Sequence, residues 1–222
     1  MKEFYDAILL DFDGTMVDSA PDIIEALNWV LAKSGYDCVN YGDYRNSAGD
    51  GAQNLIETAL KQQKVEYSEA HLKLLVKDLL RHYRKIMTKN TTLYPNVIKT
   101  LEKMHICQIK LAICTNRSQF TTHQLLTHFN LDQYFRTVLC ADNVVAKKPD
   151  PRHLYEAIDE LGIEKVRTVM IGDTLTDVLA AKNAGIKVVA TTYGYSKTPA
   201  GELGADATIS NFADLPDCLC GL

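Results

Sequence analysis

The sequence predicts an α/β protein in which a parallel sheet carries helices on both faces and an all-helical block is inserted. Three observations predict it. From residue 93 onward, short apolar runs alternate with stretches of helical periodicity, as expected for strands joined by helical crossovers. A further strand-like apolar run lies near the N terminus, at residues 7–10. Between residues 17 and 88, no segment is typical of a strand.

The predicted sheet has five strands and three connecting helices. The strands are residues 7–10, 110–114, 137–140, 168–171 and 188–190, and the helices are residues 118–129, 153–161 and 177–184. Parallel strands that are joined in this way are linked by right-handed crossovers.

Three helices are predicted in the inserted block, at residues 21–34, 52–63 and 68–87. In the last of these, apolar side chains recur on one helical face, as Leu72, Leu75, Leu79, Tyr83 and Ile86. A block of about 70 residues is long enough to bury a small core of its own. We therefore predict a discontinuous core domain of residues 1–16 and 89–222, and a helical domain of residues 17–88.

Composition and charge limit the possible functions. The 222 residues are 46% hydrophobic and 23% charged, which is ordinary for a soluble globular protein. The formal net charge of -4 gives no general attraction to nucleic acid or to an anionic membrane. No apolar run approaches the roughly 18 residues of a membrane span, and no secretion-type segment develops. The sequence therefore predicts a cytoplasmic protein without nucleic-acid or membrane partners, and we expect a monomer or a weak homodimer.

The segment DFDGT, residues 11–15, directly follows the first predicted strand. Asp11 and Asp13 lie two residues apart, so in strand geometry their side chains point the same way. Like charges this close raise each other's proton affinity, which makes the pair unfavourable for stability alone. Because ligands of open α/β sheets bind at the carboxyl ends of strands, the pair predicts chemistry or metal binding.

Polar side chains also follow the other predicted strands. Thr115 and Asn116 follow the second strand, Lys148 lies in the KKPDP segment after the third, and Asp173 and Asp177 belong to GDTLTD after the fourth. Since the ends of parallel strands share one edge, these side chains are expected to meet. Each has an ordinary alternative: Thr-Asn pairs and aspartates serve as helix caps, and a single turn lysine is most often solvated.

Together these side chains are typical of a magnesium site with phosphate chemistry. Mg²⁺ prefers oxygen ligands and usually retains several waters beside one or two carboxylates and a substrate phosphate. Zinc is disfavoured because the six cysteines and six histidines show no metal-ligand spacing. A lysine nearby is suited to a phosphate group.

In order, spacing and strand context, DFDGTMVDS, the Thr-Asn pair, Lys-Pro and GDTLTD resemble the haloacid dehalogenase superfamily. The resemblance extends over essentially the whole chain. It implies a Rossmann-like core, a helical cap at residues 17–88, and a Mg²⁺-dependent phosphatase that acts on a small phosphorylated metabolite. Members with true dehalogenase activity lack the second aspartate of the first motif, so Asp13 favours phosphoryl transfer.

The resemblance implies a role for each catalytic residue. Asp11 would be the nucleophile that becomes an aspartyl phosphate, and Asp13 would be the general acid and base. Thr115 and Asn116 would hold phosphoryl oxygens. Lys148 would neutralise the charge of Asp11 and of the phosphate.

The same resemblance implies how the metal and the rest of the phosphate are held. Magnesium would be bound by Asp11, by the backbone carbonyl of Asp13 and by Asp173, with Asp177 acting through water. Loop amides, including that of Gly14, would bind the phosphoryl group.

Substrate choice is expected to depend on the helical block. Residues 45–60 resemble the Gly-x-Gly-Ala cap loop of phosphoglycolate phosphatases, and residues 192–196, TYGYS, resemble a late core loop of the same group. Gly49 is predicted to allow close backbone approach to the substrate, and Arg45 either supplies positive charge there or pairs on the surface of the cap. The leading candidate substrate is 2-phosphoglycolate. Asp50 argues against this substrate, because an acid facing its carboxylate would repel it.

Two alternative functions remain open on the sequence. A phosphosugar mutase of the same superfamily would return the phosphoryl group to a sugar, although the cap loop shows no obvious set of hexose contacts. A receiver-type signalling domain also uses an aspartate, threonine, lysine and Mg²⁺, but it lacks the helical insertion and the second acid.

Overall fold

Eight strands and nine α-helices make up the part of the chain that the structure, a computed structural model, describes, residues 5–222. The strands are β1 Ala7–Leu10, β2 Val17–Asp18, β3 Thr92–Leu93, β4 Lys110–Cys114, β5 Thr137–Leu139, β6 Thr168–Gly172, β7 Lys187–Thr191 and β8 Ala207–Ile209. The helices are α1 Ala20–Lys33, α2 Tyr41–Tyr44, α3 Ala52–Gln62, α4 Glu69–Ile86, α5 Val97–Ile106, α6 Gln119–His128, α7 Arg152–Leu161, α8 Leu175–Ala184 and α9 Leu215–Cys220. Short 3₁₀ helices are Arg45–Asp50, Asp132–Tyr134, Lys165–Arg167, Ala200–Glu202 and Phe212–Asp214.

The chain divides into two compact units. The core unit contains the residues up to Val17 together with Leu93–Leu222, and the helical unit is Asp18–Thr92. The helical unit extends past residue 88 because the segment after α4 is bonded back to α1. The buried Asp22 carboxylate accepts hydrogen bonds from the backbone N–H groups of Asn90 and Thr91, at 2.9 to 3.0 Å.

The core unit is built on a six-stranded sheet with the order β5-β4-β1-β6-β7-β8, and every neighbouring pair is parallel. The predicted α/β fold is thus confirmed. The sequence did not predict β8 or α9, nor the short elements β2, β3 and α2. Strand β8 has only three residues, and just one of them is buried, so it lacks the continuous apolar run that identifies an inner strand.

The central strands are apolar because they are covered on both faces. All four residues of β1 and all five of β6 are buried. On one face, Leu9 and Met170 pack with side chains of α7 and α8, among them Leu154, Ile158 and Val178. Strands that are buried on both faces read as apolar runs rather than as alternating patterns.

In the helical unit, α4 packs against α1 and α3. Leu72, Leu75, Leu79 and Tyr83 on α4 are buried, as the apolar stripe predicted, whereas Ile86 is only partly buried. No helix within residues 5–222 has both the length and the apolar character needed to cross a membrane.

The strand order explains where a site can form in the core unit. The chain runs from β1 to β4 on one side of β1, and later places β6 on the other side. The order therefore reverses at β1, and ligands of open α/β sheets bind in the crevice at the carboxyl ends of the strands beside such a reversal.

Candidate active site

Four predicted side chains come together where the strands of the core unit end. Asp11 follows β1, Asp173 follows β6, Asp177 lies in the first turn of α8, and Lys148 lies between β5 and α7. The three aspartates each place a carboxylate oxygen within 4.8 Å of the others, and all three are buried. The spatial convergence expected from parallel strand ends is therefore present.

Lys148 is the cation in this cluster. Its Nζ donates to Asp11 Oδ1 at 2.8 Å and to Asp177 Oδ1 at 2.5 Å, and its side chain is only 2% exposed. Asn116 holds the backbone of Lys148, because its Nδ2 donates to the Lys148 carbonyl at 2.9 Å while its Oδ1 accepts the Lys148 N–H at 3.1 Å. In this structure the Asn116 amide therefore fixes the lysine that the sequence placed beside the phosphate.

Asp177 has a structural task as well as a charge. Its Oδ2 accepts from the backbone N–H of Thr174 at 3.0 Å and from the Thr174 hydroxyl at 2.8 Å, which forms a capping box at the start of α8. Its Oδ1 accepts from Lys148. The cap alternative is thus correct for Asp177, and the same carboxylate also belongs to the charged cluster.

Asp173 is enclosed by backbone. Its Oδ2 accepts the N–H of Tyr195 at 2.6 Å, and the Thr15 hydroxyl lies 3.4 Å from its Oδ1. Within residues 5–222 it forms no ion pair. A Cβ added to Gly14 or Gly194 would lie 2.2 or 2.3 Å from Asp173 Oδ2, so only glycine allows these two loops to approach the carboxylate.

Burial and the excess of negative charge shift the pKa values of the residues in the cluster. Burial raises the pKa of Asp11 to about 7, with Asp177 adding to the effect and Lys148 opposing it. Burial, followed by the charges of Asp177 and Asp11, raises the pKa of Asp173 well above its usual value. Burial alone would lower the pKa of Lys148, but Asp11 and Asp177 outweigh it and hold that pKa above its ordinary value.

This donor set fits a hard divalent cation. Three buried carboxylates face a single ammonium group, so the cluster carries uncompensated negative charge that a bound cation would neutralise. All the donors of the cluster are oxygens, which Mg²⁺ prefers. Among the described residues this group contains no cysteine or histidine, so it lacks the sulfur and nitrogen ligands that zinc prefers.

Asp13 lies beside a cation that sequence reasoning missed. Its Oδ1 is 2.7 Å from Nη1 of Arg117, and these side chains are 18% and 7% exposed. The backbone N–H of Arg117 donates to the hydroxyl of Thr115 at 3.2 Å, and Thr115 is itself 2% exposed. Arg117 directly follows the Thr-Asn pair, so a cation adjacent to a predicted phosphate-binding motif was the signal that could have identified it.

Two predicted substrate contacts belong to the helical unit. Arg45 and Gly49 lie in the 3₁₀ helix Arg45–Asp50. The Arg45 guanidinium is partly exposed, with Nη2 4.0 Å from Asp18 Oδ2, and Gly49 is exposed. Their contact with substrate stays a prediction.

For the loop after β7, the sequence showed only a resemblance to a late core loop of phosphoglycolate phosphatases. The loop supplies Gly194 and Tyr195 to Asp173, and the Tyr193 hydroxyl donates to the carbonyl of Thr15 at 3.0 Å. The TYGYS segment therefore supports both the DFDGT loop and the acid after β6. Backbone contacts of this kind carry no residue pattern that a single sequence could reveal.

A family model described as "Haloacid dehalogenase-like hydrolase" matches residues 8–191. The chain belongs to this family. The match covers all four motifs that resemble this family, so the predicted family is confirmed. It also covers every described residue of the acid cluster.

Similar haloacid dehalogenase-like proteins carry a common name. A phosphoglycolate phosphatase from Agrobacterium fabrum is 36% identical over 211 residues, which are 95% of this chain and 91% of that protein. Another from Caulobacter vibrioides is 34% identical over 94% of this chain and 88% of its own length. A crystal structure titled as a predicted phosphoglycolate phosphatase from Haemophilus somnus superposes with a TM-score of 0.91, at 28% identity over 96% of this chain and 97% of that one.

Proposed function

We propose that this haloacid dehalogenase-like protein is a Mg²⁺-dependent phosphatase that hydrolyses 2-phosphoglycolate through an aspartyl phosphate on Asp11. The observation that carries the proposal is the buried cluster of Asp11, Asp173, Asp177 and Lys148 at the carboxyl ends of the strands. A stable protein has no need of three buried carboxylates around one lysine, and perturbed, desolvated groups of this kind cluster at functional sites.

The first half of the proposed reaction transfers the phosphoryl group to the protein. An oxygen of the Asp11 carboxylate forms a bond to phosphorus while the bond between phosphorus and the glycolate oxygen breaks. The proton of the Asp13 carboxyl group goes to that leaving oxygen, so glycolate departs as an alcohol. Lys148, 2.8 Å from Asp11, holds the nucleophile and offsets the charge that it meets on the phosphoryl oxygens.

The second half returns the enzyme to its starting state. A water oxygen forms a bond to phosphorus while the bond from phosphorus to Asp11 breaks, and Asp13 takes the proton of the water. The products are inorganic phosphate and the free Asp11 carboxylate. Thr115 follows β4, the strand next to β1, and is proposed to hold a phosphoryl oxygen through both halves. The predicted role of the Gly14 amide is not supported, because this N–H already donates to the carbonyl of Val17 at 2.9 Å.

Asp11, the backbone carbonyl of Asp13 and Asp173 would hold the magnesium ion. When bound, the ion supplies positive charge that neutralises the carboxylates and stabilises the charge of the transferring group. Asp177 would act from farther away, because both of its oxygens already accept hydrogen bonds from Lys148 and Thr174.

The choice of substrate rests on the relatives. Proteins named phosphoglycolate phosphatase, 36% and 34% identical, match this chain along most of its length. Within the chain, the 45–60 and 192–196 segments resemble the corresponding loops of that group. A cytoplasmic location, and a monomeric or weakly dimeric state, stay predictions.

A phosphate-release screen tests this proposal. The purified protein is incubated with Mg²⁺ and a panel of some dozens of phosphorylated metabolites, with the Asp11→Asn variant as the control for contaminating phosphatases. We expect the highest kcat/KM of the wild type on 2-phosphoglycolate and no phosphate release by the variant. If another ester has a higher kcat/KM, that ester and not 2-phosphoglycolate is the substrate. Isomerisation of glucose 1-phosphate without phosphate release would favour the mutase alternative. No turnover of any ester would overturn the proposal.

A further inference from the structure

The Arg117–Asp13 pair is the most buried of the arginine ion pairs that the structure records in residues 5–222. The side chains are 7% and 18% exposed, whereas the Arg167–Asp6 pair of the same unit is 35% and 31% exposed. An arginine is seldom buried unless a partner satisfies its charge. Here the partner is the proposed general acid and base.

Arg117 is held by its backbone at the ends of two strands. Its N–H donates to the Thr115 hydroxyl at 3.2 Å, just after β4, and its carbonyl accepts the N–H of Ala141 at 2.9 Å, just after β5. The two strand ends therefore fix the backbone from which the Arg117 side chain reaches Asp13, and at 7% exposure that side chain has little room to move. Planar guanidinium groups form directional, charge-assisted hydrogen bonds to carboxylates, so a fixed arginine orients the acid that it touches.

We propose that Arg117 is a positioning residue for Asp13, an inference that rests on the phosphatase function proposed above. By holding Asp13 Oδ1 at 2.7 Å, Arg117 fixes the rotation of the carboxyl group. Proton exchange with the glycolate oxygen and with water then takes place from a carboxyl group of fixed orientation. A proton-transfer group must lie within hydrogen-bond reach of its partner, and a misplacement of about 1 Å can cost about 10²-fold in rate.

This role differs from direct binding of the substrate. A guanidinium that contacted the phosphoryl group or the carboxylate of 2-phosphoglycolate would contribute to affinity and would act whether or not Asp13 were present. A positioning residue acts only through Asp13. The two roles therefore differ in how the effects of substitutions at the two positions combine, which a double-mutant cycle measures.

The test compares Arg117→Met in the wild-type background and in the Asp13→Ala background. Methionine keeps much of the apolar stem and removes the charge. Arg167→Met is the matched control, because it breaks an arginine–aspartate pair of the same unit at the opposite ends of the strands. Arg117→Lys keeps a positive charge but lacks the planar guanidinium group. It tests the positioning role if the methionine variant fails to fold. Thermal melts of every variant separate folding from catalysis.

We expect Arg117→Met to lower kcat by about 10²-fold with KM nearly unchanged, because misplacement of Asp13 slows proton transfer. In the Asp13→Ala background the same substitution is expected to change kcat by less than about 2-fold. Arg117→Lys is expected to recover part of the lost rate, and Arg167→Met to keep the wild-type kcat.

Equal losses from Arg117→Met in both backgrounds, or a raised KM with unchanged kcat, would overturn the positioning role in favour of direct substrate contact. If Arg117→Met does not fold, a wild-type kcat in Arg117→Lys would equally contradict it. If wild-type enzyme rejects 2-phosphoglycolate but turns over another phosphoester, only the proposed substrate fails, and the cycle is read on that ester. Absence of any phosphatase activity in the wild type would remove both proposals.

Discussion

Each of the two units buries acidic residues, but in different ways. In the helical unit, Asp22 is fully buried and its oxygens accept from the N–H groups of Asn90 and Thr91 and from the Thr91 hydroxyl. In the core unit, Asp173 is equally buried, yet its neighbours include the carboxylates of Asp11 and Asp177.

The difference separates structural acids from functional ones. Asp22 is surrounded by hydrogen-bond donors, so its burial helps to attach the end of the helical unit to α1. The core cluster contains one ammonium group for three carboxylates, and burial raises the pKa values of Asp11 and Asp173. An arrangement that lowers stability is expected where chemistry requires it.

Asp11→Asn is expected to have the largest effect on activity. Loss of the proposed nucleophile should lower kcat by at least about 10⁴-fold, as for other enzymes that lose a covalent nucleophile. Its melting temperature in metal-free buffer should equal or exceed that of the wild type, since one like charge is removed from the cluster. Measurable turnover at the wild-type rate would contradict the assignment.

Lys148→Met is expected to have the largest effect on stability. The substitution leaves Asp11 and Asp177 buried without their cation, and loss of one partner of a buried pair costs about 3–5 kcal/mol. Urea unfolding in metal-free buffer measures the change. Lys61→Met is the control, because that lysine is 67% exposed in its pair with Glu57. Similar losses from the two variants would show that the cluster does not depend on Lys148.

Asp173→Asn tests the metal site. It should lower turnover by at least about 10²-fold, because several kcal/mol of charge stabilisation are lost with the ion. Wild-type enzyme should melt at a higher temperature when Mg²⁺ is added, and the variant should not. Its metal-free melting temperature should not fall. An unchanged response to Mg²⁺ would exclude Asp173 as a ligand.

For Asp22→Asn in the helical unit we expect the opposite of Asp173→Asn, a loss of stability. One oxygen acceptor becomes a donor that faces the N–H groups of Asn90 and Thr91, so the free energy of unfolding should fall by about 1–3 kcal/mol. Urea unfolding of this variant beside Asp173→Asn gives the direct comparison. If Asp22→Asn were as stable as the wild type, its hydrogen bonds would not hold the end of the unit.

The smallest expected effect is the pH dependence of stability without metal. In the folded protein the pKa of Asp11 is raised to about 7 from an ordinary 3.8, chiefly by burial, so the folded state binds this proton more tightly than the unfolded chain. Its contribution is fully present below about pH 4 and is lost as the pH rises through 7. The contribution of Asp11 to the melting temperature of metal-free protein should therefore be larger at pH 5 than at pH 8. It is measured as the difference between the wild type and Asp11→Asn at each pH, which cancels the opposite effect of His153, whose pKa burial lowers to about 4. Equal pH dependence in both proteins would contradict the burial of a charged Asp11.

Much of the core and its site could be predicted from the sequence, because both depend on local patterns. Apolar runs predicted the inner strands, and parallel topology then brought Asp11, Lys148 and Asp173 to one edge of the sheet.

What the sequence missed depends on long-range contacts. The pairing of Arg117 with Asp13 joins segments that are far apart in the chain, so the place of Arg117 beside the Thr-Asn pair pointed to the site but not to Asp13 as its partner. For the same reason the sequence did not predict the two hydrogen bonds between the Asn116 amide and the backbone of Lys148. The donors around Asp22 come from the far end of the helical unit, and the sequence showed only that Asp22 lies in a predicted helix, residues 21–34.

The most direct test of the account is to trap the covalent intermediate. The enzyme is mixed with 2-phosphoglycolate and Mg²⁺, quenched in acid within one turnover, and digested for mass spectrometry. The account predicts phosphate, at most one per chain, on the peptide that contains Asp11 and on Asp11 itself, and none when Mg²⁺ is omitted. Turnover without any phosphorylated peptide, or with the phosphate on another residue, would contradict the central claim that Asp11 is the nucleophile.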